Sequence, residues 1–264
     1  ALDAWRAAPD SARRLPRRYR LTYCVGILLD DGLVMASDSR TNAGVDRVST
    51  FSKMHVFEKP GERVFVLLSA GNLSITQSVE RVLADDLGHG EGSLDLHAAP
   101  TMYQAARTVG RAMREVFQID GPSLQQHNLD FNASIILGGQ ISGGEPRLYM
   151  IYSAGNFIEA SRETPYLQIG EVKYGKPVLD CMIDADTGFA EAAKCALISF
   201  DSTMRSNVSV GPPIDLAFYR RDSLHLGHRQ RIDDADPYFA KIRAEWSDGL
   251  RKVFEDIPNP DWPL

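Results

Sequence analysis

Residues 22–40 constrain the fold of this 264-residue chain more than any other stretch. Two short apolar runs, Val25–Leu29 and Leu33–Ala36, flank Asp30-Asp31-Gly32. Asp-Gly between apolar runs signals a hairpin, because Gly accepts the positive φ of a tight turn. Runs that are apolar almost throughout suit strands of a sheet covered on both faces. The second run ends in Ser37-Asp38-Ser39-Arg40. A carboxylate closing a buried strand needs a cationic or hydrogen-bonding partner. The hairpin returns that strand end to the start of the first strand, which places Asp38 near Thr22.

The rest of the chain supplies more strands and several helices. Ser52–Phe57 and Val64–Ser69 read as a second strand pair around Pro60-Gly61, ended by Ala70-Gly71-Asn72. Ser74 and Gln77 form a capping box, and Ile75, Val79, Val82 and Leu83 give a helical stripe to about Leu87. Thr101 and Gln104 form another box after Pro100, opening a helix to about Phe117. Strands are expected near Asn132–Leu137 and Arg147–Tyr152, joined through Gly138-Gly139 and Gly143-Gly144. Phe157–Ala160 and Tyr166–Ile169 continue the sheet. A helix follows over Thr187–Arg205, then a strand over Ile214–Tyr219. Asp236-Pro237 opens a last helix, with Asp as cap and Pro at the first helical position. Phe239, Ile242, Trp246, Leu250 and Val253 line one face of it, before a tail with Pro258, Pro260 and Pro263. Two strand layers enclosed by helix layers would satisfy this order.

Composition narrows the function. A net charge of −6 argues against a general nucleic-acid binder. No apolar run approaches the roughly 20 residues of a membrane span. Three cysteines, Cys24, Cys181 and Cys195, give no paired spacing, which fits a reducing cytoplasm. Charge is uneven: residues 1–21 hold six Arg against Asp3 and Asp10, a net of +4, leaving −10 for residues 22–264. The composition changes just before Thr22. We therefore expect two regions, an Arg-rich arm over 1–21 and one domain over 22–264. The arm reads as a leader, a propeptide, an artefact or a mis-assigned start.

The opening stretch resembles a known family. Thr at the head of a strand, followed by an Asp-Gly turn and Ala-Ser-Asp-Ser-Arg, is similar to the start of proteasome β subunits and their bacterial relatives. Tyr23-Cys24 after the Thr and Thr41-Asn42-Ala43-Gly44 after Arg40 bring it nearest to the bacterial Anbu (ancestral β-subunit) family. The resemblance is strong over 22–72 and collinear to about residue 220. It implies an α+β fold, the four-layer α-β-β-α sandwich of N-terminal nucleophile hydrolases. It implies a threonine-type peptidase or amidohydrolase that needs no cofactor or metal, and a homo-oligomer stacked as rings or open rings. Its partners would be a peptide or protein substrate, with no nucleic acid and no membrane; the sequence is silent on an ATP-driven partner.

The same resemblance names the site residues. Thr22 would be the nucleophile. A threonine hydroxyl is weak and needs a base, and a free α-amine, titrating near roughly 7.7–8, can serve. As an internal residue, Thr22 has only an amide nitrogen. Lys53 would stand beside it, oriented by Asp38, and Gly71 would donate its backbone N–H to the oxyanion. Asp201 and Ser206 are loose counterparts of a family Asp-x-x-Ser-Gly motif. Gly170 is followed by Glu171 where the family usually has Ser, a departure that bears on substrate preference or proton relay.

Blander readings accompany these. Taken one at a time, Lys53 reads as a surface lysine, Asp38 as a partner of Arg40, Gly71 as a turn glycine and Asp201 as a helix-end acid, but the matched spacing of Thr22, Asp38 and Lys53 favours the site reading for Asp38 and Lys53. Cys24 reads as a buried strand cysteine rather than a nucleophile freed by a cut before it, and His225 and His228 as a solvated loop rather than metal ligands. As a whole, the chain could instead be a catalytically silent assembly subunit, or an amidase for a small non-peptide amide. Leu21 departs from the Gly that precedes the Thr in proteasome propeptides. A start codon at position 21 read as Leu, with removal of the initiator Met, would also expose Thr22.

Overall fold

The computed structural model describes residues 22–42, 48–90, 92–127 and 129–262. The arm over 1–21, much of the Thr41–Gly44 element and Pro263 lie outside them. The architecture is α+β, with two five-stranded antiparallel sheets and five α-helices among the described residues.

The opening hairpin is β1 (Tyr23–Leu29) and β2 (Gly32–Asp38), paired from Cys24↔Ser37 to Leu29↔Gly32. Asp30-Asp31 is therefore the two-residue loop, and Gly32 begins the returning strand. Gly32 has φ +145°, and a Cβ there would lie 1.9 Å from the carbonyl oxygen of Tyr219. Close approach by the neighbouring strand demands this glycine as much as the turn does. That neighbour is β11 (Ile214–Arg220). β10 (Tyr166–Gly170) and β12 (His228–Ile232) complete the sheet in the order β10-β1-β2-β11-β12.

Two short strands, β3 (Arg40–Asn42) and β4 (Val48–Thr50), pair apart from it. The second large sheet runs β5 (Met54–Lys59), β6 (Arg63–Gly71), β7 (Ala133–Ile141), β8 (Arg147–Ile151) and β9 (Phe157–Glu159) in sequence order. Gly138-Gly139 does not join strands, as expected from sequence, but lies inside β7. A Cβ at Gly138 would meet Met35 Sδ at 2.9 Å, and one at Gly139 would meet Val64 O at 2.0 Å. The glycines mark close packing rather than a turn.

Three apolar cores hold the sheets and helices together. The middle one packs Leu33, Met35 and Ala217 of the first sheet against Val66, Leu68 and Ile136 of the second. On its outer face the second sheet meets α1 (Leu73–Asp85) and α2 (Met102–Gln126) through Phe65, Leu67, Val79 and Val109. The first sheet meets α3 (Val172–Met182), α4 (Phe189–Ser206) and α5 (Pro237–Asp256) through Val25, Leu179, Phe200 and Phe239.

Three helix expectations change. α1 is capped by Asn72, whose side chain accepts from Ser74 N at 3.1 Å, so Ser74 lies in the first turn rather than at the cap. α2 runs on past Phe117 through Pro122, with Leu124 packed on the core. α3 was not expected at all. Its Gly175 sits where a Cβ would meet the Tyr23 hydroxyl at 2.4 Å.

Candidate active site

Asp38 ends β2 with no exposed surface. Its Oδ1 accepts from the backbone N–H of Tyr23 at 3.1 Å and from Lys53 Nζ at 2.8 Å. Lys53 Nζ also donates to the carbonyl of Arg40 at 2.6 Å, and its side chain is 5% exposed. The ion pair is thus enclosed, and it is tied to the residue that follows Thr22. Burial raises the Asp38 carboxyl to about 6, with Lys53 and the amides of Tyr23 and Gly211 pulling it back. Arg40, the alternative partner, instead donates to the carbonyl of Val208 at 3.2 Å.

Thr22 is buried at the head of β1. Its carbonyl accepts from the Glu171 N–H at 2.8 Å. Gly170 is needed at this contact: its φ is +85°, and a Cβ would lie 2.0 Å from Thr22 O. Tyr23 anchors the strand beneath. Its hydroxyl donates to Ser199 Oγ at 3.1 Å, and its ring meets Phe200 edge-on. Gly71 closes β6 at φ +117°, where a Cβ would meet Asn132 O at 2.1 Å. The backbone there is one that only glycine adopts without strain.

The structure therefore brings together the start of β1, Asp38 and Lys53. Asp201 belongs to a different network. Its carboxylate accepts from Arg205 Nε at 2.7 Å and from Arg243 Nε at 2.9 Å, tying α4 to α5. Ser206 closes α4 with its side chain exposed. The polar residue next to the start of β1 is Asn207, one position further on. Its Nδ2 donates to Glu171 Oε2 at 3.0 Å, and its Oδ1 accepts from Ser209 N at 3.0 Å. From the sequence, Glu171 stands as a carboxylate near the nucleophile where the family usually has Ser, while Asn207 carries no such mark. The polar run Ser206-Asn207-Val208-Ser209-Val210-Gly211 after an apolar helix was the available signal.

The weaker candidates lie elsewhere. Cys24 is buried, its thiol pushed well up by desolvation and directed at Ser69 O, 3.5 Å away. His225 Nδ1 stands 2.8 Å from Ser223 O, and the His228 ring lies against Phe218. Among the described residues no helix is long and apolar enough to cross a membrane.

Known proteins share this fold. No family model matches the chain. Anbu (ancestral beta-subunit) from Yersinia bercovieri is 47% identical, with TM-score 0.85, covering 92% of this chain and 100% of its own. Anbu from Hyphomicrobium sp. strain MC1 is 48% identical, with TM-score 0.84, over 91% and 100%. The helical assembly of the Anbu complex from Pseudomonas aeruginosa gives 49%, TM-score 0.85, over 90% and 98%. The proteasome subunit beta of Haloquadratum walsbyi is 25% identical over 214 residues, 81% of this chain and 79% of that protein.

Proposed function

This chain belongs to the Anbu (ancestral β-subunit) family, and on that premise we propose that it is a proteasome-like N-terminal threonine hydrolase cleaving peptide or amide bonds. The observation that supports this reading most is the double use of Asp38 Oδ1, which holds Lys53 and the amide of Tyr23 at once. One carboxylate fixes both a cation and the backbone immediately after the nucleophile.

In this reading the Thr22 hydroxyl attacks the carbonyl carbon of the substrate. The α-amine of Thr22, directly or through a water, takes the hydroxyl proton and returns it to the leaving amine. Lys53 lowers the proton affinity of both groups, and Asp38 keeps it charged and oriented. The Gly71 N–H stabilises the developing oxyanion from a fixed position, without reorganisation. Water then hydrolyses the acyl ester and regenerates Thr22. Glu171 and Asn207 pin the carbonyl side of Thr22 and act as positioning residues. Asp201 anchors α5, and Ser206 takes no part in the chemistry.

The chemistry requires Thr22 as first residue, whether by cleavage after Leu21 or by initiation at position 21. The fold we assign is the four-layer α-β-β-α sandwich, formed by residues 22–264 as one domain. We also assign self-association, in line with the helical assembly formed by the Pseudomonas aeruginosa relative. α5 supports it: Phe239 and Ile242 are buried, whereas Leu250, Val253 and Phe254 on the same helix remain exposed. Sedimentation tests this, with a species well above 29 kDa at micromolar concentration expected. Hydrolysis by wild type and its absence in Thr22→Ala test the chemistry, and separate an enzyme from a silent assembly subunit. Comparison of peptide with small-amide substrates separates a peptidase from an amidase.

A further inference from the structure

The hydrolase reading leaves one buried titratable cluster without a task. It begins one cross-strand step from Lys53. Lys53 continues the β5–β6 register opposite Ser69, with Ser69 N donating to Lys53 O at 2.9 Å. Opposite residues in an antiparallel pair share a face. Ser69 is buried, and its hydroxyl donates to Glu80 Oε1 on α1 at 3.1 Å. Glu80 Oε2 stands 2.9 Å from Nε2 of His55, which lies two residues beyond Lys53 on β5. Glu80 is 9% exposed, whereas the His55 side chain is 34% exposed. The cluster thus meets solvent through the outer part of the His55 ring, while its Nε2 is buried against the carboxylate.

That carboxylate is held differently from the other buried ones. Asp38 has Lys53, Asp201 has two guanidiniums, and Asp215 has Arg231 at 2.8 Å with the Ser39 hydroxyl at 3.0 Å. Asp95 accepts from the amides of His97 and Gly90. Among the described residues, Glu80 has neither Lys nor Arg in ion-pair range, only a hydroxyl and an imidazole. An imidazole is a cation only when protonated. A buried carboxylate with neither a permanent cation nor backbone amides to hold it, unlike Asp95, favours a cationic partner.

The position suits a substrate side chain. Ser69 precedes Gly71 by two residues on β6, so the two lie on one face, about 7 Å apart at roughly 3.4 Å per residue. We propose that Glu80, with His55 and Ser69, forms the subsite for the side chain next to the attacked carbonyl, and that it selects a cationic side chain of lysine or arginine type. This rests on the hydrolase reading for the place of the attacked carbonyl. Charge complementarity commits the subsite to a cation, since an aliphatic side chain would leave the carboxylate uncompensated and an acidic one would be repelled.

The test is binding to the intact Thr22→Ala protein, in which no turnover confuses the result. Titrate it with acetyl-Leu-Leu-arginine amide and with the citrulline analogue, which keeps the shape and loses the charge. The arginine peptide should bind at least tenfold tighter, and Glu80→Gln should bring the two affinities within twofold. Equal affinities in the Glu80 protein, or a preference that survives Glu80→Gln, would overturn the proposal. The ratio in the Glu80 protein decides even where the substituted protein fails to fold. Hydrolysis of the same peptides by wild type is scored separately. Its absence would remove the hydrolase reading while the affinity ratio still judges the subsite.

Discussion

Asp38 and Asp201 are both buried carboxylates that bind cations, yet they sit in opposite kinds of surroundings. Asp38 ends a strand, meets one ammonium and takes two backbone amides, and all its partners are enclosed. Asp201 lies within α4 and meets two guanidiniums whose own side chains are 48% and 42% exposed. The first arrangement raises a carboxyl toward working pH and holds a lysine beside the start of a strand. The second joins two helices through charge-assisted bonds that reach solvent. A buried carboxylate becomes a chemical device when its partners fix a reacting group, and a clamp when they fix another helix.

The largest expected effect separates the strand end from everything else. Thr22→Ala should lower the rate by at least about 10⁴-fold while leaving the fold intact by circular dichroism. Asp38→Asn should come next, costing about 10²–10³-fold as the field around the nucleophile is lost. Asp201→Asn, by contrast, should leave kcat/KM within twofold and cost stability of about 2 kcal/mol, less than the 3–5 of a fully enclosed pair. That is a fall in Tm of about 4–8 °C. A rate loss in Asp201→Asn equal to that of Asp38→Asn would erase the distinction. Lys53→Ala should cost at least about tenfold, or about 1.4 kcal/mol of barrier.

A pH profile sharpens the same contrast with the smallest change. The Asp38 carboxyl titrates at about 6 in the folded protein, above the roughly 3.9 of an unfolded aspartate. Below about 6 it protonates, Lys53 loses its counter-charge, and kcat/KM should fall about tenfold per pH unit. Because the folded pKa is the higher one, the native state binds more protons between about 4 and 6. This group's contribution to stability therefore rises as pH falls through that window. Acid should silence the enzyme before it unfolds it. Loss of near-UV dichroism in step with activity would assign the effect to unfolding instead.

Local signals made the start of the chain legible. The hairpin, its burial and the return of Asp38 to Thr22 follow from one turn and two apolar runs. The Asp236-Pro237 cap also read directly, with Phe239 N donating to Asp236 Oδ1 at 2.8 Å. What escaped depended on distant partners. α3 contains Gly175 and Pro177, which lower helix propensity; the glycine is there because Tyr23 presses on the helix from another part of the chain. β12, His-Arg-Gln-Arg-Ile, is mostly exposed and polar, and becomes a strand by pairing with β11. Glu171 and Asn207 meet across 36 positions, after a strand end and a helix end fold together. Nothing in either neighbourhood encodes that meeting. Anbu-like wording over residues 22–44 carried the resemblance, and with it Asp38, Lys53 and Gly71, whereas Asn207 had to come from the fold.

The account stands on Thr22 acting through its own free amine. The direct test is intact mass with N-terminal sequencing of protein treated with an electrophile selective for N-terminal threonine, comparing chains that begin at Thr22 with chains that retain residues 1–21. The account predicts one label per chain, placed on Thr22, and hydrolysis only where Thr22 is first. Labelled, active protein that keeps its Arg-rich arm, or an undiminished label in Thr22→Ala, would contradict it.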